Sequence, residues 1–223
     1  IGGIPITSTV NGRPSQTSTM NYSDSVYALS YSNYFDRLFT DTIKNLGIGA
    51  NLKYFNKTIA TREGSAAGYS IDLGLQYQPE TIPWLNLGLA TQNLVGSGLI
   101  WGTGTQELLP MVMKLGGTVQ ILGDNAIKAA VQSLLLSTEY ETRPNQANYP
   151  GQIHLGLEWK PYSIVAIRSG IDQAWKGENG TIAYSYNVTL GVGIRYQGFA
   201  FDYTYHPYGS LSENQAHYFA ISY

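Results

Sequence analysis

Charged and amide side chains recur at every second position inside otherwise apolar stretches of this chain. Asn51 and Lys53 stand in "LGIGANLKY", Asp72 and Gln76 in "YSIDLGLQY", Lys114 in "MVMKLGG", and His154 and Glu158 in "IHLGLEW". Arg168, Asn187, Arg195 and Asp202 follow in the same alternating setting. Such a set supports two kinds of chemistry. It can line a polar passage that selects or binds a solute, or it can neutralise itself by pairing charges across a buried surface. Pairing is the favoured reading, because closed sheets commonly satisfy interior charges that way.

Other chemistry finds less support. His154, His206 and His217 match no compact ligand motif, so no metal is expected. "GIGANL", "GTGTQE" and "GVGIRY" each contain Gly-x-Gly, but none opens a helix after a strand. A phosphate cradle, and with it a nucleotide cofactor, is therefore not expected. No serine–histidine–acid order or nucleophile elbow can be assembled, so the chain does not read as an enzyme. It has no cysteine, which excludes disulfides, thiolate ligands and a cysteine nucleophile. A net charge of −2 gives no basis for a nucleic-acid partner.

The elements that must position these residues read as strands. Hydrophobic residues make up 43% of the 223, while charged ones make up 13%, about half the usual share. Glycine (25) and tyrosine (18) fill the difference. No apolar run approaches the ~18 residues of a membrane helix. Period-two alternation predicts strands over 46–54, 69–77, 85–90, 111–121 and 153–159, and a hairpin within 187–209. Further strands are expected near 24–34, 126–138, 163–171 and 215–223, about eleven in all, with Ile1–Ile6 as the tail of another.

Connections alternate in length. Gln78–Pro83, Leu122–Asn125, Lys160–Tyr162 and Gln197–Gly198 read as short. Asn56–Ala66, Asn93–Leu109, Glu139–Pro150, Asp172–Ile182 and His206–Gln215 read as long. In an antiparallel meander this gathers long loops at one end and tight turns at the other, as in outer-membrane barrels. Phe35–Asn45 breaks the rule, and the spacing of Phe35, Leu38, Phe39 and Ile43 predicts a short helix.

The clearest register is that of "NVTLGVGIRYQGFAFDYTYHPYG". A two-residue turn at Gln197–Gly198 pairs Tyr196 with Phe199, Ile194 with Phe201, Val192 with Tyr203 and Leu190 with Tyr205 on one face. The other face pairs Arg195 with Ala200, Gly193 with Asp202 and Gly191 with Thr204. A tight turn after Lys160 would likewise set His154 opposite Arg168. A soluble sheet would need a second layer over its apolar face. A barrel in lipid needs none, and its polar face points inward, where glycine relieves crowding. Gly47, Gly49, Gly74, Gly88, Gly116, Gly156, Gly191 and Gly193 all fall on polar faces. Tyr69 and Tyr77 lie on one face, roughly 26 Å apart along a strand, near the spacing of two interfacial aromatic girdles. The expected fold is an all-β antiparallel transmembrane β-barrel, one domain over 1–223, with a soluble β-sandwich binding protein as the alternative. An arginine at Leu73 should then be costly, and one at Ser70 better tolerated.

Several segments in order resemble one family. "LGIGANLKYFNKTI", "GYSIDLGLQYQP", "LNLGLATQNLVG", "LPMVMKLGGTVQI", "IHLGLEWKPYSIVAIRSGI" and "FAFDYTYHPYGSLSENQAHYFAISY" are similar to a PorV/PorQ-type bacterial outer-membrane protein, from about residue 24 to Tyr223. The resemblance implies a FadL-like barrel of fourteen strands. It implies a structural or adaptor role in an outer-membrane assembly or secretion system, or FadL-like transport of hydrophobic small molecules. The implied partners are the lipid of a lipopolysaccharide-containing outer membrane, the barrel-assembly machinery, and other outer-membrane or periplasmic proteins. The family's glycine- and alanine-rich opening, with its asparagine-proline-alanine-glycine stretch, is absent, so the N-terminal strands are expected to lie outside this sequence. Two further features bear on partners. Leu99, Ile100 and Trp101 are apolar residues in a predicted external loop, suited equally to a partner or substrate and to the membrane interface. Phe219, Ile221 and Tyr223 end the chain in an alternating aromatic pattern, which the resemblance implies is an assembly signal.

Overall fold

Alternation with period two builds the fold, because each strand then carries one apolar and one polar face. A computed structural model describes residues 4–10, 12–39, 43–59, 61–146, 148–178, 181–207 and 215–223. The fold is all-β and antiparallel, with one large sheet of thirteen strands and one small hairpin. The hairpin is β1 (Ile4–Val10) with β2 (Arg13–Met20). The large sheet holds β3 (Tyr22–Tyr34), β4 (Leu46–Ile59), β5 (Thr61–Tyr77), β6 (Leu85–Gly96), β7 (Leu99–Trp101), β8 (Gln106–Glu107), β9 (Val112–Leu122) and β10 (Ser133–Thr142). It continues with β11 (Gln152–Tyr162), β12 (Val165–Glu178), β13 (Thr181–Tyr196), β14 (Phe199–Pro207) and β15 (Gln215–Ser222). Its main path runs β15-β14-β13-β12-β11-β10-β9-β6-β5-β4-β3. Those are the eleven strands the alternation points to. Among the described residues the path stays open, with β15 and β3 as its ends. A short helix, α1 (Phe35–Leu38), stands in the segment expected to hold one.

The chain divides into two compact units. One comprises Ile1–Ser32, Gly49–Leu73 and Thr91–Met111, the other Asn33–Ile48, Gly74–Ala90 and Val112–Tyr223. In both, the polarity of the sheet is inverted relative to a protein with an oily core. In the first unit Leu52, Tyr54, Tyr69 and Leu73 are exposed, while Ser70 and Asp72 are buried at 1% and 8% exposure. In the second, Leu155, Leu157, Ile167, Leu190 and Phe201 are exposed, while Gln152 and Asn187 are buried. Among the described residues the buried hydrophobic side chains are only Ala66, Leu99 and Ala166.

Several expectations are corrected. The segment at Ile4 does not pair with β3 among the described residues; it turns back onto β2, whose run of serine and threonine carries no apolar alternation. Asn56–Ala66 and Asp172–Ile182 are mostly strand, since β12 and β13 stay paired from Val165–Ile194 to Glu178–Thr181. The tenth strand of the chain begins at Ser133, not near 126. Ile127 and Lys128 donate backbone hydrogen bonds to Gln120 and Ile121 (3.0 and 3.1 Å), so these residues fold back on the end of β9. The connection after Leu122 is therefore long, not short. The turn between β11 and β12 lies at Ser163–Ile164, two residues later than expected. Glu158 consequently faces Arg168, and His154 faces Asp172 rather than Arg168. Such a four-residue offset in pairing preserves the faces. The β13–β14 hairpin has the expected register from Leu190–Tyr205 to Tyr196–Phe199. Positive φ at Gln197 (48°) and Gly198 (90°) identifies its turn as type I′.

Candidate functional site

The candidate site is the polar face, and in the second unit it forms successive rows of charge. Glu158 on β11 and Arg168 on β12 are directly opposed, with Nε donating to the carboxylate at 2.6 Å. The same guanidinium reaches past β13 to Asp202 on β14, Nη1 to Oδ1 2.5 Å. It can cross an intervening strand because glycine occupies the gap. A Cβ on Gly193 would lie 2.6 Å from Asp202 Oδ1 and 3.1 Å from Arg168 Nη1. Lys160 completes the row at 2.7 Å from Glu158. This steric need is local: around Gly74, also on a polar face, no atom of the described residues would lie within 4 Å of a Cβ.

The next row is built on Asp172. His154 Nδ1 is 2.6 Å from its Oδ1, and His206 Nε2 is 3.5 Å from its Oδ2. Asn187 is the buried residue opposite Asp172 on β13. A third row sets Lys114 Nζ 2.9 Å from Glu139 and 3.0 Å from Glu141, with Arg143 3.6 Å from Glu141. Glu139 lies directly opposite His154 in the β10–β11 ladder. One ligand atom each from Glu139, Glu141 and His154 falls within 4.8 Å of the others. Beside this row the Arg143 guanidinium packs 4.2 Å from the Trp175 ring, which also meets Tyr149 in a tilted contact, ring centroids 4.7 Å apart.

The first unit carries its own cluster. Lys53 pairs with Asp72 at 2.8 Å and donates to Asn93 Oδ1 at 3.0 Å. Ser70 donates to the same oxygen, and the Asn93 backbone N–H donates to Asp72 at 2.9 Å. Asn93 sits at φ 53°, the left-handed region that asparagine tolerates better than most residues. The buried, bonded Ser70 leaves no room for arginine, so the expected tolerance there is withdrawn.

Of the residues singled out in the sequence, Lys53 and Asp72 meet in one unit, and Lys114, His154, Glu158, Arg168 and Asp202 join the rows of the other. Asn51 is half-buried, and Gln76 and Arg195 are exposed. Leu99 is buried at 1% exposure within the small β7–β8 pair rather than displayed on a loop. Gly68 and Gly98 let the backbones approach there, since a Cβ on Gly68 would strike the Gly98 carbonyl. Ile100 remains exposed, and Trp101 Nε1 donates to Glu107 at 3.1 Å. Phe219, Ile221 and Tyr223 are exposed at the end of β15, with Tyr223 packed on Phe199, ring centroids 4.6 Å apart. Asn93, Glu139, Glu141 and Asp172 carry no site reading in the sequence, and His206 is read there only as a histidine without ligand spacing. Glu139 and Glu141 alternate in "STEYET", a signal hidden by ending the strand at 138.

Compared with known proteins, the chain matches no family model, no curated protein and no solved structure.

Proposed function

We propose that this chain is a bacterial outer-membrane β-barrel protein of PorV/PorQ type, serving as a structural or adaptor component of an outer-membrane assembly or secretion system. The observation that carries the proposal is the inverted polarity: Leu73, Leu155, Leu157 and Ile167 are exposed, while Asp72 and Asn187 are buried. A continuous exposed apolar face is a liability in water and a requirement in lipid. Tyr69 and Tyr77 bracket Leu73 and Leu75 on that face, which suits interfacial rings at two edges of an apolar band. The adaptor role is favoured over passage of hydrophobic molecules because the polar face is occupied by mutually paired charges, with no apolar track among the rows described. The quoted segments that resemble the family support the same reading.

Fractionation of the native cell tests the location. The chain should sediment with outer membranes, resist salt and alkaline carbonate, and release only in detergent. A monodisperse protein in plain buffer would overturn the proposal. Cross-linking in those membranes before detergent release tests the role. A stable set of outer-membrane or periplasmic partners is expected. A chain that cross-links to nothing, and makes vesicles permeable to an apolar dye, would replace the adaptor role with transport.

A further inference from the structure

The histidines have no ligand spacing in the sequence, yet the fold sets one of them beside two glutamates of the neighbouring strand. Glu139 and His154 are directly opposed, and Glu141 is the next residue along on the same face. Asp172 stands behind the imidazole, its Oδ1 2.6 Å from Nδ1. A carboxylate there holds Nδ1–H as the donor and leaves the ring's lone pair on Nε2. That Nε2 is buried and has no hydrogen-bond partner among the described residues. A carboxylate-backed imidazole with its second nitrogen bare is how metal-binding histidines are commonly oriented.

We propose that Glu139, Glu141 and His154 form a binding site for one divalent transition-metal ion, Zn2+ being the reference case, with Asp172 as the positioning residue for His154. One imidazole and two carboxylates suit zinc and its first-row neighbours better than magnesium or calcium, which prefer oxygen alone. Three protein ligands leave a coordination position open. Lys114 is central to the argument. Its ammonium lies 2.9 and 3.0 Å from the two glutamates, where it balances their charge and occupies the place of a cation. A metal must displace it, so Lys114 is a resident competitor. Arg143, at 3.6 Å from Glu141, is a weaker one. Glu139 is the most exposed of these side chains, at 39%, and gives the ion its approach. The site does not depend on the membrane reading, because all its residues lie in one unit and none belongs to the apolar face.

The test is a titration with Zn2+ of the chelator-stripped, folded chain, in whichever of detergent or plain buffer keeps it monodisperse. One ion per chain should bind. Asp172→Ala should weaken binding about 10–100-fold, as loss of a partner behind a ligand does. His154→Ala should weaken it at least as much. Lys114→Met should bind more tightly than the parent, a gain that misfolding cannot imitate. Glu158→Gln, in the neighbouring row, should bind as the parent does. Co2+ bound to the parent should show an imidazole nitrogen among its ligands, which decides the matter should the histidine variant fail to fold. Absence of saturable binding, a cobalt site without imidazole, or indifference to His154→Ala would overturn the site. A Lys114→Met chain that binds no better than the parent would overturn the role given to Lys114.

Discussion

Replacing Leu73 with arginine separates a lipid-facing sheet from a water-facing one. Leu73 is 45% exposed, midway between Tyr69 and Tyr77 on the same face of β5. Those tyrosines are roughly 26 Å apart along the strand, so Leu73 falls near the centre of the apolar band. On a sheet bathed in water, such a surface exchange stays within about 0.5 kcal/mol. At the middle of a bilayer the same exchange costs about 2–4 kcal/mol. The smallest gap between the two, about 1.5 kcal/mol, is roughly tenfold in the folding equilibrium. Gln76→Arg is the control: it stands near the same end of β5 with opposite parity and is already exposed. Both variants are refolded into vesicles and unfolded in guanidinium, with the four tryptophans reporting the transition. A loss at Leu73→Arg of at least 2 kcal/mol, about fourfold or more beyond that at Gln76→Arg, is expected. Equal midpoints for the two variants would refute the assignment of faces.

Other substitutions probe the polar face. Gly193→Ala should destabilise by about 1–3 kcal/mol, because its Cβ meets the Arg168–Asp202 pair; Gly74→Ala, in open space, should be neutral or stabilise by up to about 1 kcal/mol. Chemical denaturation of the two side by side checks the contrast. Asn93→Ala should cost about 1–2 kcal/mol more than Asn93→Gly, since both lose the side-chain bonds but only alanine opposes the left-handed φ; equal midpoints would show that backbone strain is absent. Arg168→Met should cost about 1–3 kcal/mol by leaving Asp202 and one side of Glu158 unpaired, and Asp202→Asn in the same chain should return part of it.

Strand existence was legible wherever one face is apolar and the other polar, as at Leu190–Tyr196, where the turn residues also fix the register. Legibility failed where both faces are polar. The far ends of β4 and β12 carry residues such as Asn56, Lys57, Gln173 and Lys176, so period two disappears there although the β12–β13 ladder continues. β2 has the same difficulty, with Pro14 and a run of small hydroxyl residues. β7 and β8 are too short to show any period. At the candidate site, single charged residues were visible one strand at a time. Their partners depended on turn lengths: two extra residues before Val165 replaced a histidine–arginine pair with Glu158–Arg168 and His154–Asp172. The bridge over Gly193 joins β12 to β14 and has no counterpart in any pairwise reading.

The opposed charges on β11 and β12 also decide which alignment the chain can keep. A slip of two residues leaves every side chain on its own face, so the apolar side hardly registers the error: one aliphatic group simply passes another. On the polar side the same slip sets Glu158 against Ala166 or Gly170, and His154 against Gly170 or Ala174. Several charges are then stranded at once. The ion pairs work as a key with widely spaced teeth, rejecting the near-miss alignments that an oily surface would accept.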